Sequence, residues 1–201
     1  LAMARIIHGA AVTGHTFSER GIVLGLISAL LHDSGYLLAD GEDGPGARYT
    51  LVHISRSIAF MDAYFAARGF SREDFHFCRN ILHCTGLDVK IDEIQFASHE
   101  NELLGKMLGT ADLLGQMADR TYLEKLPFLY DEFKIAHIKE LGSELDFYRN
   151  TPKFFDMTKE RFRRELDGVS QYMRHHFRVR WGSDEDLYMS AIERSMAYLK
   201  E

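Results

Sequence analysis

Apolar positions recur at three- and four-residue intervals along nearly the whole chain, and alternating strand-like runs are scarce, which predicts an all-α protein. A first helix is expected over about 1–12. Ser18 can cap a second, with Glu19 in its first turn, and this one is apolar on most sides: Ile22, Val23, Leu24, Leu26, Ile27, Leu30 and Leu31 predict a central, buried helix. It should end at His32–Asp33. The tract "ADGEDGPGARYT" (39–50) then reads as loop.

Thr50 is the expected cap of a third helix over about 51–68, stopped by Gly69, and Ser71 that of a fourth over about 72–84. "TGLDVKIDEIQF" is irregular. A fifth helix should run from about 99 to 120, and a sixth over 122–141, bent near Pro127, which lacks a backbone donor. Helices over about 151–178 and 184–200 close the chain. The pattern divides into a helical core, 1–125, and a helical extension, 126–201, packed on it.

Composition sharpens this only in places. Three prolines (Pro45, Pro127, Pro152) favour long helices, and 46% hydrophobic against 27% charged residues is an ordinary globular balance. The net charge of −6, with Lys and Arg scattered, argues against a nucleic-acid polymer as partner. No apolar run approaches the roughly 18 residues needed to cross a bilayer, and no signal peptide is evident. Cys78 and Cys84 are too few for a disulfide framework and too far apart for a common zinc pair. They read as buried thiols of a reducing compartment, so a cytoplasmic protein is expected. "LAMARII" already reads as helix interior without a cap, which suggests that the natural chain begins further upstream.

Chemistry concentrates in "SALLHDSGY" (28–36), where an apolar helix finishes on adjacent His32 and Asp33. His53 falls in the first turn of the next helix, His83 closes the fourth, and Asp112 sits mid-way along the fifth among Leu108, Ala111, Leu113 and Leu114. A carboxylate in such surroundings is costly unless paired. A divalent cation removes that cost, since imidazole and carboxylate together suit Mg, Mn, Fe, Zn or Co. Gln116 and Asp119 continue the Asp112 face at i+4 and i+7 and are candidate substrate contacts. Taken singly, a histidine at a helix end is usually a capping residue; it is the set that calls for a ligand. "MRHHFRVRW" (173–181) reads instead as a solvated helix end, and Phe128, Tyr130, Phe133, Met173, Met189 and Met196 as packing.

"ALLHDSGY", "HISRSIAFMDAYFAARGFSREDFHFCRNILHCTG" and "LGTADLLGQMADR" together resemble the HD-domain metal-dependent phosphohydrolases, over roughly 18–125. The resemblance implies an HD-domain helical bundle in which His32, Asp33 and Asp112 are metal ligands. His53 and His83 match the extra histidines of members that hold two metals, which places Asp33, His53 and His83 at the catalytic centre. The family has one more histidine on the helix before the His-Asp pair; a residue upstream of Leu1 is the first candidate, His8 the next and His15 the last. Tyr36 stands where many members carry Lys, so a phosphate-facing cation must come from elsewhere, Arg56 ahead of Arg79 and Lys106.

The implied activity is hydrolysis of a small phosphorylated compound, a nucleotide phosphomono- or phosphodiester, with one or two divalent ions (Mn, Fe, Mg, Zn, Co or Ni) activating water. Two rivals share the residues: a di-iron oxygenase of the same fold, and a non-enzymatic HD signalling or ligand-sensing module. A homodimer through the extension is compatible with either.

Overall fold

The computed structural model describes residues 1–139 and 141–200 and contains, among them, helices and no strands. The α-helices are α1 (Ala2–Val12), α2 (Glu19–Leu31), α3 (His53–Arg68), α4 (Arg72–His83), α5 (His99–Met117), α6 (Tyr122–Ile135), α7 (Glu144–Arg164), α8 (Tyr172–Trp181) and α9 (Leu187–Tyr198). Short 3-10 turns at Ser34–Tyr36, Gly46–Tyr49, Ile91–Glu93 and Val169–Gln171 join them.

Local capping chemistry sets the starts of α2 and α4 as expected. Ser18 Oγ accepts from the Gly21 N–H at 2.9 Å. Ser71 and Asp74 form a reciprocal capping box at α4. Asp74 then reaches across to α2, accepting from Arg20 Nε at 2.9 Å. Thr50, by contrast, does not cap α3. That helix begins at His53 without a side-chain cap, and the Thr50 hydroxyl donates to the Ala47 carbonyl at 2.7 Å, closing the preceding 3-10 turn.

The centre of the molecule is α5, not α2. Leu104, Met107, Leu108 and Leu114 are fully buried, with α1, α2 and α4 packed around them. α2 presents Leu24 and Ser28 inward, while Leu30 is 82% exposed. An all-round apolar helix has no polar face to say which side is covered. Two asparagines seat α4 on α5: buried Asn101 donates to the Phe77 carbonyl at 2.8 Å and accepts from Asn80, which also bonds the Gln95 carbonyl.

The extension departs most from expectation. α6 ends at Ile135, short of the expected 141; Glu140 lies outside the described residues. α7 starts at a second capping box, Ser143 with Asp146. The single helix expected over 151–178 is broken after Arg164, where Asp167 and Gly168 both take positive φ (50° and 63°). Glycine tolerates that conformation, and Asp167 is held in it by an ion pair from its carboxylate to Lys106 of α5 at 2.6 Å. α8, expected as a solvated end, is packed on α1 through buried Met173, His176 and Phe177. Tyr130 and Phe133, expected between extension and core, pack against Phe147 within the extension; Met173 and Met196 are core, and Phe128 is 72% exposed.

Buried Arg161 of α7 donates to the carbonyls of Cys84, Gly86 and Leu87 at 3.3, 2.8 and 3.0 Å, satisfying the end of α4 from outside. Arg161→Ala would leave these acceptors unpaired and is expected to lower stability by about 2–4 kcal/mol in urea unfolding. A second expectation concerns acid. The Arg20 hydrogen bond and the Ser71 amide and hydroxyl lower the Asp74 carboxyl from 3.8 to about 2. Its stabilisation is therefore complete above the ordinary carboxylate value and lost as pH falls from about 4 to about 2. The urea midpoints of wild type and Asp74→Asn should differ at about pH 6 and converge towards about pH 2.

Candidate functional site

The site begins where α2 runs out of helix. His32 is still helical, Asp33 is not (φ −102°, ψ 7°), and the chain turns through Ser34–Tyr36. The carbonyls released there need partners. Fully buried Ser57 of α3 supplies one: its hydroxyl donates to the His32 carbonyl at 2.5 Å and accepts from the Gly35 N–H at 2.8 Å. The backbones approach so closely that a Cβ on Gly35 would collide with the His53 carbonyl. Arg56, one residue along, donates from Nε to the Gly35 carbonyl at 2.8 Å and from Nη2 to the Leu37 carbonyl at 2.9 Å. It also pairs with Glu42 and lies over the Tyr49 ring.

This clamp brings His32, Asp33 and His53 together, and α5 delivers Asp112. Each imidazole has its Nδ1 on a carbonyl three residues back, His32 on Ala29 at 2.9 Å and His53 on Thr50 at 2.6 Å. Nδ1 must carry a hydrogen in both, which leaves Nε2 for a second proton or a ligand. His32 Nε2 lies 3.3 Å from Asp112 Oδ1 and 3.3 Å from Asp33 Oδ2; His53 Nε2 lies 4.0 Å from Asp33 Oδ1. A lone pair aimed at two carboxylates is repulsive unless a positive charge sits between them. Burial would lower the His32 pKa, but the Asp112 hydrogen bond and the charges of Asp112 and Asp33 outweigh it and push it up to about 9. Desolvation raises the Asp33 carboxyl, as do Asp112 and Glu132, against the pull of His32.

Donor type and anchoring fit a divalent cation. Metal-ligating histidines commonly tie their other nitrogen to a backbone carbonyl, and neither Asp33 nor Asp112 is paired with Lys or Arg among the described residues. No three His, Cys, Asp or Glu side chains among those residues are set out as a ready-made cage; here His32 points straight at the oxygens that would share the ion.

Glu132 of α6 completes the wall, a residue for which the sequence carried no local sign. Tyr36 stacks on His53 (4.8 Å between centroids) and donates to Glu132 at 3.1 Å, with Thr50 Oγ1 3.0 Å from the same oxygen. Burial, reinforced by Glu132, raises the Tyr36 phenol above its ordinary range.

The other candidates have other surroundings. Half-buried His83, its pKa lowered by burial and by Arg79, lines a cleft of about 450 Å³ with Arg79 and Lys90. His8 meets His176 of α8, their Nδ1 atoms 3.1 Å apart, and His15 meets the Tyr172 hydroxyl at 2.6 Å. Lys106 is buried between Glu102 and Asp167. Gln116 is exposed, and Asp119 is held by Lys125 and Thr121, which keep its carboxyl well below the usual range. Arg56 is committed to the clamp, so its charge is not free for a substrate. Ser57→Ala, which strands the Gly35 N–H and the His32 carbonyl, is expected to cost about 1–3 kcal/mol in urea unfolding, whereas Ser55→Ala on the exposed face of α3 should be near neutral.

No helix among the described residues is long and apolar enough to cross a membrane. Comparison with curated proteins and with solved structures returns no match. A family model described as Npun_R2479-like matches residues 38–166, well over half of the chain; it takes in His53, Ser57, Asp112 and Glu132 and begins after the His-Asp pair. The chain belongs to the Npun_R2479-like family.

Proposed function

We propose that the His32–Asp33–His53–Asp112 cluster holds a divalent metal ion and that the protein hydrolyses a phosphate ester of a small molecule. The observation that carries this reading is the pair of imidazoles, each fixed through Nδ1, with Nε2 turned toward carboxylates that pair with no Lys or Arg among the described residues. The HD-type motifs in the sequence support the same chemistry.

His32, Asp33 and Asp112 would hold the ion, with His53 beside Asp33. When bound, the ion supplies Lewis acidity toward water and phosphoryl oxygens. The chain's own residues set the stage: Asp33, 58% exposed at the mouth, is open to solvent and substrate; Tyr36 covers one face of His53; and the Ser57 clamp holds the His-Asp turn rigid. Arg56 and Lys106 are engaged elsewhere, which leaves Arg79, beside His83, of the cations the sequence offers. A second reading with the same ligands is an iron-dependent oxygenase acting on a small hydroxylated compound. The buried free thiols Cys78 and Cys84 agree with a reducing compartment such as the cytoplasm.

Purified protein with manganese is expected to hydrolyse bis-p-nitrophenyl phosphate, and Asp33→Ala and Asp112→Asn to lose at least about 100-fold in turnover together with bound metal. Equal turnover in both variants ends the hydrolase reading. An oxygen-dependent iron chromophore without hydrolysis selects the oxygenase.

A further inference from the structure

α1, α8 and α9 contribute to a second site, apart from the His-Asp cluster. α1, α8 and α9 meet the C-terminal end of α5 around a cleft of about 710 Å³. Half-buried Arg5 lines it. Its guanidinium carbon stands 5.7, 5.4 and 5.5 Å from the ring centroids of Phe177, Trp181 and Tyr188, and Nη1 donates to the Tyr188 hydroxyl at 2.9 Å.

Three aromatic rings position a guanidinium without neutralising it, because a ring quadrupole is not a counter-ion. Among the described residues Arg5 forms no ion pair, and its Nε and Nη2 make no hydrogen bond to protein. Asp119, the one acid lining the cleft, is already taken up by Lys125 at 2.6 Å and by Thr121. What remains is the Nε–Nη2 edge of a planar fork, whose spacing matches the two oxygens of a carboxylate. Beside it stand Trp181 and Leu187, 57% and 40% exposed, as an apolar wall.

The geometry points to a binding site for a monocarboxylate with an apolar body, its carboxylate on Arg5 and its hydrocarbon against Trp181 and Leu187. The planar fork of one guanidinium pairs with the two oxygens of one carboxylate. Arg5, Phe177, Trp181 and Tyr188 all lie outside the residues that the family model matches, so the site is formed by parts of the chain that the family description does not cover.

Trp181 is the only tryptophan of the chain, so its emission reports on the cleft directly. Octanoate is expected to change that emission saturably, with a Kd below about 1 mM, while 1-octanol at equal concentration leaves it unchanged. Arg5→Met, which keeps an apolar stem among the rings, should weaken octanoate at least about tenfold with its circular dichroism spectrum intact. Absence of a saturable response, an equal response to octanol, or undiminished affinity in Arg5→Met overturns the inference. The octanoate–octanol comparison uses the unaltered chain and decides whether or not the variant folds.

Discussion

A single buried hydroxyl carries the geometry on which the site depends. When α2 stops, the His32 carbonyl and the Gly35 N–H lose their helical partners, and in a buried setting each must find another. Ser57 Oγ serves both, as acceptor for one and donor to the other. In doing so it fixes the distance between the end of α2 and the start of α3. His32 and Asp33 ride on the first element and His53 on the second, four residues before Ser57. The chemistry is thus assembled at helix ends, where backbone groups demand outside partners anyway. Arg56 repeats the device on the outer side of the turn, and its charge is absorbed there by Glu42 rather than offered to a ligand.

The electrostatics follow from that placement. With Nδ1 of both imidazoles committed to backbone, Nε2 is the only nitrogen left, and on both rings it faces Asp33. A unit charge about 4 Å from a carboxylate is worth about 4 kcal/mol at an effective dielectric of 20, several times thermal energy. The space between His32, Asp33 and Asp112 therefore selects a positive charge strongly. A proton on His32 meets the demand, which is why that imidazole is pushed so far above its ordinary value. A divalent ion meets it with more charge and shares it among more donors. Glu132 deepens the negative field and is itself satisfied by Tyr36.

What the sequence made legible was what lies within a turn or two of itself. The caps at Ser18 and Ser71, the end of α2 at the His-Asp pair and the apolar setting of Asp112 are all local statements, and the structure carries them. Ser57 appeared only as part of a motif, because both of its partners are more than twenty residues away. Glu132 looked like any acid on a helix, since nothing near it in the chain announces Tyr36. The break at Asp167–Gly168 was also missed; the Asp167 carboxylate there pairs with Lys106, sixty-one residues earlier. For α2, apolar residues on every side left the periodicity without a direction, and the more mixed α5 took the centre.

The boundary expected near residue 125 marks a change of pattern rather than a change of role. Three side chains beyond it complete the polar accounting of the residues before it: Glu132 at Tyr36, Arg161 on the carbonyls that end α4, and Asp167 on buried Lys106. Each is a charged group set against a polar group of the first part of the chain: a phenol hydroxyl, a set of backbone carbonyls and an ammonium that Glu102 also pairs. The family match, running from 38 to 166, crosses the same boundary without interruption. Of the three, Glu132 lies at the His-Asp turn, through Tyr36. The α1–α8 contact in turn brings Arg5 to Trp181.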